Sequence, residues 1–156
     1  VAMQIAEKLY TQGYISYPRT ETNSYPQNFD LRGVVKLFDR SSEYGEEARN
    51  VLNDFTQPRK GLDAGDHPPI TPMKLATRAD FDGDSWRVYD YIVRHFMGTL
   101  SRDLKYKSTT TKFIIDGEVF TNTSNVLIDA GFTKVMTWQA FGELTFKAYF
   151  IIILTN

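Results

Sequence analysis

Near Tyr106 the hydrophobic pattern changes period, and that change constrains the fold more than any other feature of the chain. Upstream, Trp86, Tyr89, Val93, Phe96 and Leu100 recur at helical spacing and predict a helix over 85–100 with one apolar stripe. Arg87, Asp90 and Arg94 fall on the opposite side, spaced for ion pairs along the helix surface. Downstream of Leu104 the pattern alternates. Residues 108–115 read as a Thr-rich strand, Asp116-Gly117 as a type I′ hairpin turn, 118–123 as the returning strand, and 132–138 as a further strand. One element cannot follow both periods. The chain therefore divides into a mainly helical module over 1–105, the start of an antiparallel β domain over 106–139, and an apolar tail over 140–156, a mixed α/β class.

The first hundred residues hold three more helical segments. Ala2, Ile5, Ala6 and Leu9 share a face, with Gly13 as the stop. A second helix is expected over 31–39, weakened by Gly33, and a third over 44–55. Residues 58–65 form a basic, glycine-bearing loop. Asp80-Phe81-Asp82-Gly83-Asp84 looks like the start of a calcium loop, but position twelve from Asp80 is Tyr91 where a bidentate Glu is needed. Capping of the next helix by Asp84 or Ser85 accounts for this acidic stretch better.

Between the first two helices lies Gly13-Tyr14-Ile15-Ser16-Tyr17-Pro18-Arg19-Thr20-Glu21-Thr22. Pro18 drives Tyr17 out of the helical region, and residues i and i+2 of an extended chain share a face. Tyr17 and Arg19 are thus expected to point the same way. A phenol ionises at a pKa of about 10, so a nucleophilic tyrosine needs a neighbouring cation. A guanidinium supplies the charge and also grips a phosphate through its planar fork. Thr20 and Glu21 add a hydroxyl and a proton acceptor. Taken alone, the same residues also suit a surface strand.

The second candidate segment is Asp63-Ala64-Gly65-Asp66-His67-Pro68-Pro69-Ile70-Thr71-Pro72. The two prolines hold the chain extended after His67, and Asp66 is placed to keep the imidazole cationic near a phosphate. A loop histidine without a task fits the local residues equally. His95, inside an apolar helical pattern, reads as structural or surface.

Together these two segments resemble the tyrosine-bearing and histidine-bearing segments of type IA DNA topoisomerases, and the second is worded like the topoisomerase III beta branch. The resemblance covers Val1 to about Gln139 and weakens over 41–56. It implies that Tyr17 is the nucleophile that becomes joined to a 5′ phosphate, that Arg19 lies beside the scissile phosphate, and that His67 is the active-site histidine. It implies a tyrosine domain followed by part of a β gate, acting on single-stranded or underwound DNA, with RNA as a second substrate. Magnesium is implied for the parent enzyme, with its ligands in a toprim domain outside this chain, and no ATP. A Tudor-domain partner and a nuclear location, with a cytoplasmic share, are implied as well. Without the toprim half, efficient cleavage by the chain alone is not expected.

Composition supplies little further signal for nucleic acid. The net charge is −1, so a bound strand must rely on local cations: Arg19, Lys36, the Arg59-Lys60 pair, Lys74 and Arg78 are the candidates. Scattered charges also form ordinary solvated faces. Aromatic residues make up 14% of the chain, and Tyr14, Tyr25 and Phe29 near the tyrosine segment are candidates for base stacking as well as for the core. No cysteine is present, which excludes a disulfide frame and thiolate metal sites. The opening at Val1 suggests a piece of a longer chain. The apolar run over 148–154 is seven residues long, far short of the ~20 needed to cross a membrane. A noncatalytic nucleic-acid- or protein-binding product of a truncated or alternatively spliced gene is the alternative reading.

Overall fold

Helix α1 (Ala2–Thr11) buries Ala6 and Leu9 against the core and ends in two crossed hydrogen bonds, Tyr14 N–H to Leu9 C=O at 2.9 Å and Gly13 N–H to Tyr10 C=O at 2.8 Å. This Schellman ending needs a left-handed residue, and Gly13 supplies it at φ +75°. The turn launches the chain directly into the Tyr17 segment. The computed structural model describes residues 1–140; the remainder of the tail, including the apolar run over 148–154, lies outside the described residues.

Helix α2 (Leu31–Lys36) is capped by Asp30, whose carboxylate accepts from Gly33 N–H at 2.8 Å. It stops three residues earlier than expected. Leu37 and Phe38 bond back to Val34 and Val35 at i−3, so the chain tightens into turns that still bury Phe38. Helix α3 (Gly45–Asn53) is likewise shorter than its apolar pattern suggested.

Helix α4 (Gly83–Thr99) is the central element, and its stripe of Trp86, Tyr89, Val93 and Phe96, with Leu100 just beyond, is buried as expected. Two details differ from the sequence expectation. The N-cap is Asp82, which accepts from Ser85 N–H at 2.8 Å, rather than Asp84 or Ser85. The face carrying Asp90 and Arg94 is not a solvated one. Asp90 accepts from the Tyr44 hydroxyl at 3.0 Å and pairs with Arg94 at 3.0 Å, and Arg94 reaches Glu47 of α3 at 3.5 Å. Arg87 alone of the three stays outside, pairing with Asp84 at 3.5 Å.

The predicted hairpin is present and longer than expected. Strands β1 (Lys105–Ile115) and β2 (Glu118–Asp129) pair antiparallel from Ile115↔Glu118 outward, forming a two-stranded sheet among the described residues. Asp116 and Gly117 sit at φ 52° and 83°, the pair of positive values that a type I′ turn requires.

The strand expected over 132–138 is instead two short 3-10 turns, Gly131–Lys134 and Thr137–Gln139. After β2 the Asp129 carboxylate accepts from Gly131 N–H at 3.0 Å, and Gly131 turns left-handed at φ +49° against the backbone of Arg102 and Asp103. The chain thereby bends back onto the helical module and buries Val135 and Met136. Alternating apolar residues had two ways to be buried here, and the turn selected the helical one.

Candidate active site

Two extended segments form the site, one from the end of α1 and one from the loop preceding α4. Their inner ends are stitched by backbone and hydroxyl bonds: Ser16 N–H to Thr71 C=O at 2.9 Å, Thr71 N–H to the Ser16 hydroxyl at 2.9 Å, and Met73 N–H to Tyr14 C=O at 2.8 Å. Ile15 faces Pro72 in an isolated antiparallel bridge, and both are buried. A proline is tolerated there because the neighbouring residues make the ladder bonds.

The outer ends are joined by one carboxylate. Asp66 Oδ2 accepts from Glu21 N–H at 2.8 Å, while Oδ1 accepts from the Thr20 hydroxyl at 3.1 Å and from the Thr22 hydroxyl. Thr20 Oγ1 also lies against the His67 carbonyl, and Thr22 Oγ1 accepts from Ala64 N–H at 3.0 Å. Farther out, Asn23 N–H bonds Leu62 C=O at 3.0 Å. The pairing runs antiparallel throughout.

Between the two sets of bonds, Tyr17 and His67 stack with ring centroids 3.5 Å apart and planes 24° from parallel. Tyr10 from the last turn of α1 meets Tyr17 edge-on at 5.2 Å. The phenol oxygen and both imidazole nitrogens have no hydrogen-bond partner among the described residues. Stacked rings carry their polar atoms in parallel planes, so neither imidazole nitrogen points at the phenol oxygen.

Three other tyrosines are poorly suited to attack. Burial pushes the Tyr25 phenol up to about 12, and burial raises those of Tyr44 and Tyr89 further, with Asp90 adding to the effect at Tyr44. Each is held in the protonated form.

The remaining expected residues are dispersed. Arg19 is exposed and makes an ion pair with Glu21 at 3.2 Å; no contact joins it to Tyr17. Arg59 is paired with Asp103 at 2.7 Å and, with Lys60, borders a groove of about 310 Å³ beside Tyr25, Phe29 and Phe55. Lys74 sits 3.9 Å over the Tyr14 ring, whose edges meet Phe81 and Tyr89. Lys74 thus covers one face of Tyr14, while Tyr25 packs on both Phe29 and Phe96. These aromatics belong to the margin of the core.

Asp66 departs from its expected role. No hydrogen bond or ion pair ties its carboxylate to the imidazole; it holds backbone and hydroxyls of the facing segment instead. The Glu21 N–H and then the Thr22 hydroxyl, with a smaller part from Thr20, hold the Asp66 carboxyl well below its usual range, at about 2. A carboxyl with a folded pKa below its unfolded value of about 3.9 contributes stability above that value and loses it as pH falls toward the folded one. A ¹³C titration should place the Asp66 midpoint at about 2, and a midpoint at 3.8 would mean that the two segments are not joined through it. The alternating hydroxyls Thr20 and Thr22 were the sequence signal for this acceptor.

A family model described as DNA topoisomerase matches residues 1–148. DNA topoisomerase 3-beta of Drosophila melanogaster is 68% identical over 142 residues, covering 91% of this chain and 16% of that protein. DNA topoisomerase 3-beta-1 of Homo sapiens is 53% identical over 140 residues, 89% of this chain and 16% of that protein. DNA topoisomerase 3-beta of Oryza sativa subsp. japonica is 46% identical over 149 residues, 95% and 17%. The chain thus spans about a sixth of the length of these relatives.

Proposed function

This chain belongs to the type IA DNA topoisomerase family, and from that premise we propose that it carries the nucleophile with which such an enzyme cuts and rejoins one DNA strand. The observation that supports the reading is the Tyr17–His67 stack, held between two stitched segments with its phenol oxygen unpartnered.

In the proposed step Tyr17 Oη attacks a backbone phosphorus of single-stranded or underwound DNA and gives up its proton to solvent. The new Oη–P bond forms as the P–O3′ bond breaks, and the departing 3′ oxygen takes a proton. The protein then holds the 5′ phosphate while a second strand passes through the gap. Attack by the 3′ hydroxyl reverses both bonds and frees Tyr17. One phosphate ester replaces another, so no ATP is needed. His67 presents an in-plane N–H edge to the same phosphate. Arg19, two residues from the nucleophile, binds a non-bridging oxygen on release from Glu21.

The described residues do not fit a magnesium site. No three His, Asp or Glu side chains converge on a point, and both oxygens of Asp66 are committed to protein donors. Magnesium in this reading is held by a toprim domain outside the chain. RNA as a second substrate, a Tudor-domain partner and a nuclear location with a cytoplasmic share complete the proposal, on the resemblance already described.

The test mixes the chain with a separately made toprim-bearing half, magnesium and a 3′-labelled single-stranded oligonucleotide. Label retained on the protein in a denaturing gel is the expected result. Folded, associated halves that form no adduct would leave the chain a noncatalytic binding product.

A further inference from the structure

We propose that Asp66 is a positioning residue that sets the distance and parallel orientation of His67 relative to Tyr17. The inference rests on the reading of Tyr17 as nucleophile for its functional meaning, although its geometry can be measured without any reaction.

Three observations carry it. Asp66 directly precedes His67, so any displacement of its carboxylate is transmitted through one peptide unit to the stacked imidazole. Its two oxygens take up donors from three consecutive residues, Thr20, Glu21 and Thr22, which begin three residues beyond Tyr17. Thr20 Oγ1 touches both the Asp66 carboxylate and the His67 carbonyl, closing the connection from the other side.

Besides Asp66, the facing segment reaches this stretch through the Thr20 hydroxyl on the His67 carbonyl and through Thr22 Oγ1, which accepts from Ala64 N–H at 3.0 Å. The Ser16–Thr71 bonds register the segments on one side of the stack, four residues past His67. The Asn23–Leu62 bonds lie five residues before it. With Asp66 removed, the chain from Leu62 to Ile70 would keep the Ala64–Thr22 and Thr20–His67 bonds between those anchors but lose the three donors that converge on the carboxylate. Its flanking Pro68-Pro69 pair restricts local φ but cannot set the separation of two segments. A carboxylate that accepts several bonds at once can, because each donor it satisfies fixes another coordinate of the facing backbone.

Asp66 is exposed, and so are Glu21 and His67, while Thr22 is buried, which places this connection at the rim of the core. Removing it is therefore expected to loosen the stack while the folded module survives. Catalysis is sensitive to such loosening, since a displacement of about 1 Å at a reacting group can cost about a hundredfold in rate.

Substitution separates positioning from charge. Asp66→Ala deletes every acceptor. Asp66→Asn deletes the charge but can still accept from Glu21 N–H and donate to the threonine hydroxyls. In the isolated 156-residue chain, without DNA or metal, the His67 ring protons of the native protein should be shifted upfield by the Tyr17 ring. Asp66→Ala should abolish that shift while leaving the signals of Val93 and Leu100 in place, and Asp66→Asn should restore much of it.

In the reconstituted cleavage assay Asp66→Ala should lower the rate by about tenfold to a hundredfold, with oligonucleotide affinity unchanged within error. An upfield shift retained in Asp66→Ala would overturn the inference. An Asn variant as defective as Ala would also overturn it, by making charge rather than geometry the requirement. Should Asp66→Ala disturb the core signals too, Asp66→Glu decides the matter: it keeps the charge but lengthens the side chain by one methylene, so loss of the His67 shift in a folded chain supports positioning by the carboxylate, and retention sinks it. Failure of the nucleophile reading would be seen separately, as a Tyr17-independent adduct or none, with the shift pattern unaffected.

Discussion

Tyr17→Phe is expected to lower adduct formation in the reconstituted enzyme by at least about four orders of magnitude, because it removes the oxygen proposed to form the protein–phosphate bond. The substitution is a clean one on structural grounds. Phe keeps the ring that stacks on His67 at 3.5 Å and meets Tyr10 at 5.2 Å. The hydroxyl it deletes has no partner among the described residues, so stability should change by less than about 0.5 kcal/mol. Oligonucleotide binding should persist. An adduct that survives in Tyr17→Phe would move the nucleophile elsewhere, and the buried phenols of Tyr25, Tyr44 and Tyr89 would be poor replacements.

The second large effect is expected at Tyr89, and it falls on stability. This side chain is fully buried at the centre of α4, with Phe81 at 5.4 Å and Trp86 at 5.9 Å between ring centroids. Its hydroxyl donates to Lys74 C=O at 2.6 Å and accepts from Ala76 N–H at 3.0 Å. Tyr89 therefore fills the core and also holds the chain that leaves the His67 segment.

Truncation to Ala should cost about 3–5 kcal/mol, the range for emptying an aromatic core position. Tyr89→Phe keeps the ring but leaves the buried Ala76 N–H without its acceptor, an effect of about 1–3 kcal/mol. Urea unfolding with an unchanged denaturant slope is the measurement. A loss below about 1 kcal/mol for Tyr89→Ala would contradict the packing described here. The Phe variant should also weaken the Tyr17–His67 stack, since the 71–76 segment would lose its tie to α4.

The two effects show why site and core are hard to separate in this chain. Segment 71–76 belongs to both: Thr71 and Pro72 register the tyrosine strand, while Ala76 is hung from Tyr89. A mutation in either place is transmitted through hydrogen bonds of ordinary length. Arg94 behaves similarly on the far side of α4, where its bonds to Asp90 and Glu47 tie α3 to the helix.

Much of this architecture was legible in residue order because it depends on local physics. A period of 3.6 marks α1 and α4, a left-handed glycine ends α1, and Asp116-Gly117 closes a hairpin whatever surrounds it. The Tyr17 and His67 segments were likewise recognisable by their residues and order. Other features depend on which distant groups meet. The 132–138 segment has strand-like alternation, yet its burial is decided by Gly131 turning against Arg102 and Asp103 and by Met136 docking beside Gly98. Arg59 looked like a free cation until Asp103, 44 residues away, appeared opposite it. Asp66 looked like a partner for the adjacent imidazole, but it bonds a backbone some 45 residues upstream. Sequence by itself determined α1, α4, the hairpin and the identity of the two segments, because propensity and turn geometry act over a few residues. Only the tertiary structure decided which charges were free, which aromatics were covered and what holds Tyr17 against His67, because those depend on long-range pairing that no local pattern encodes.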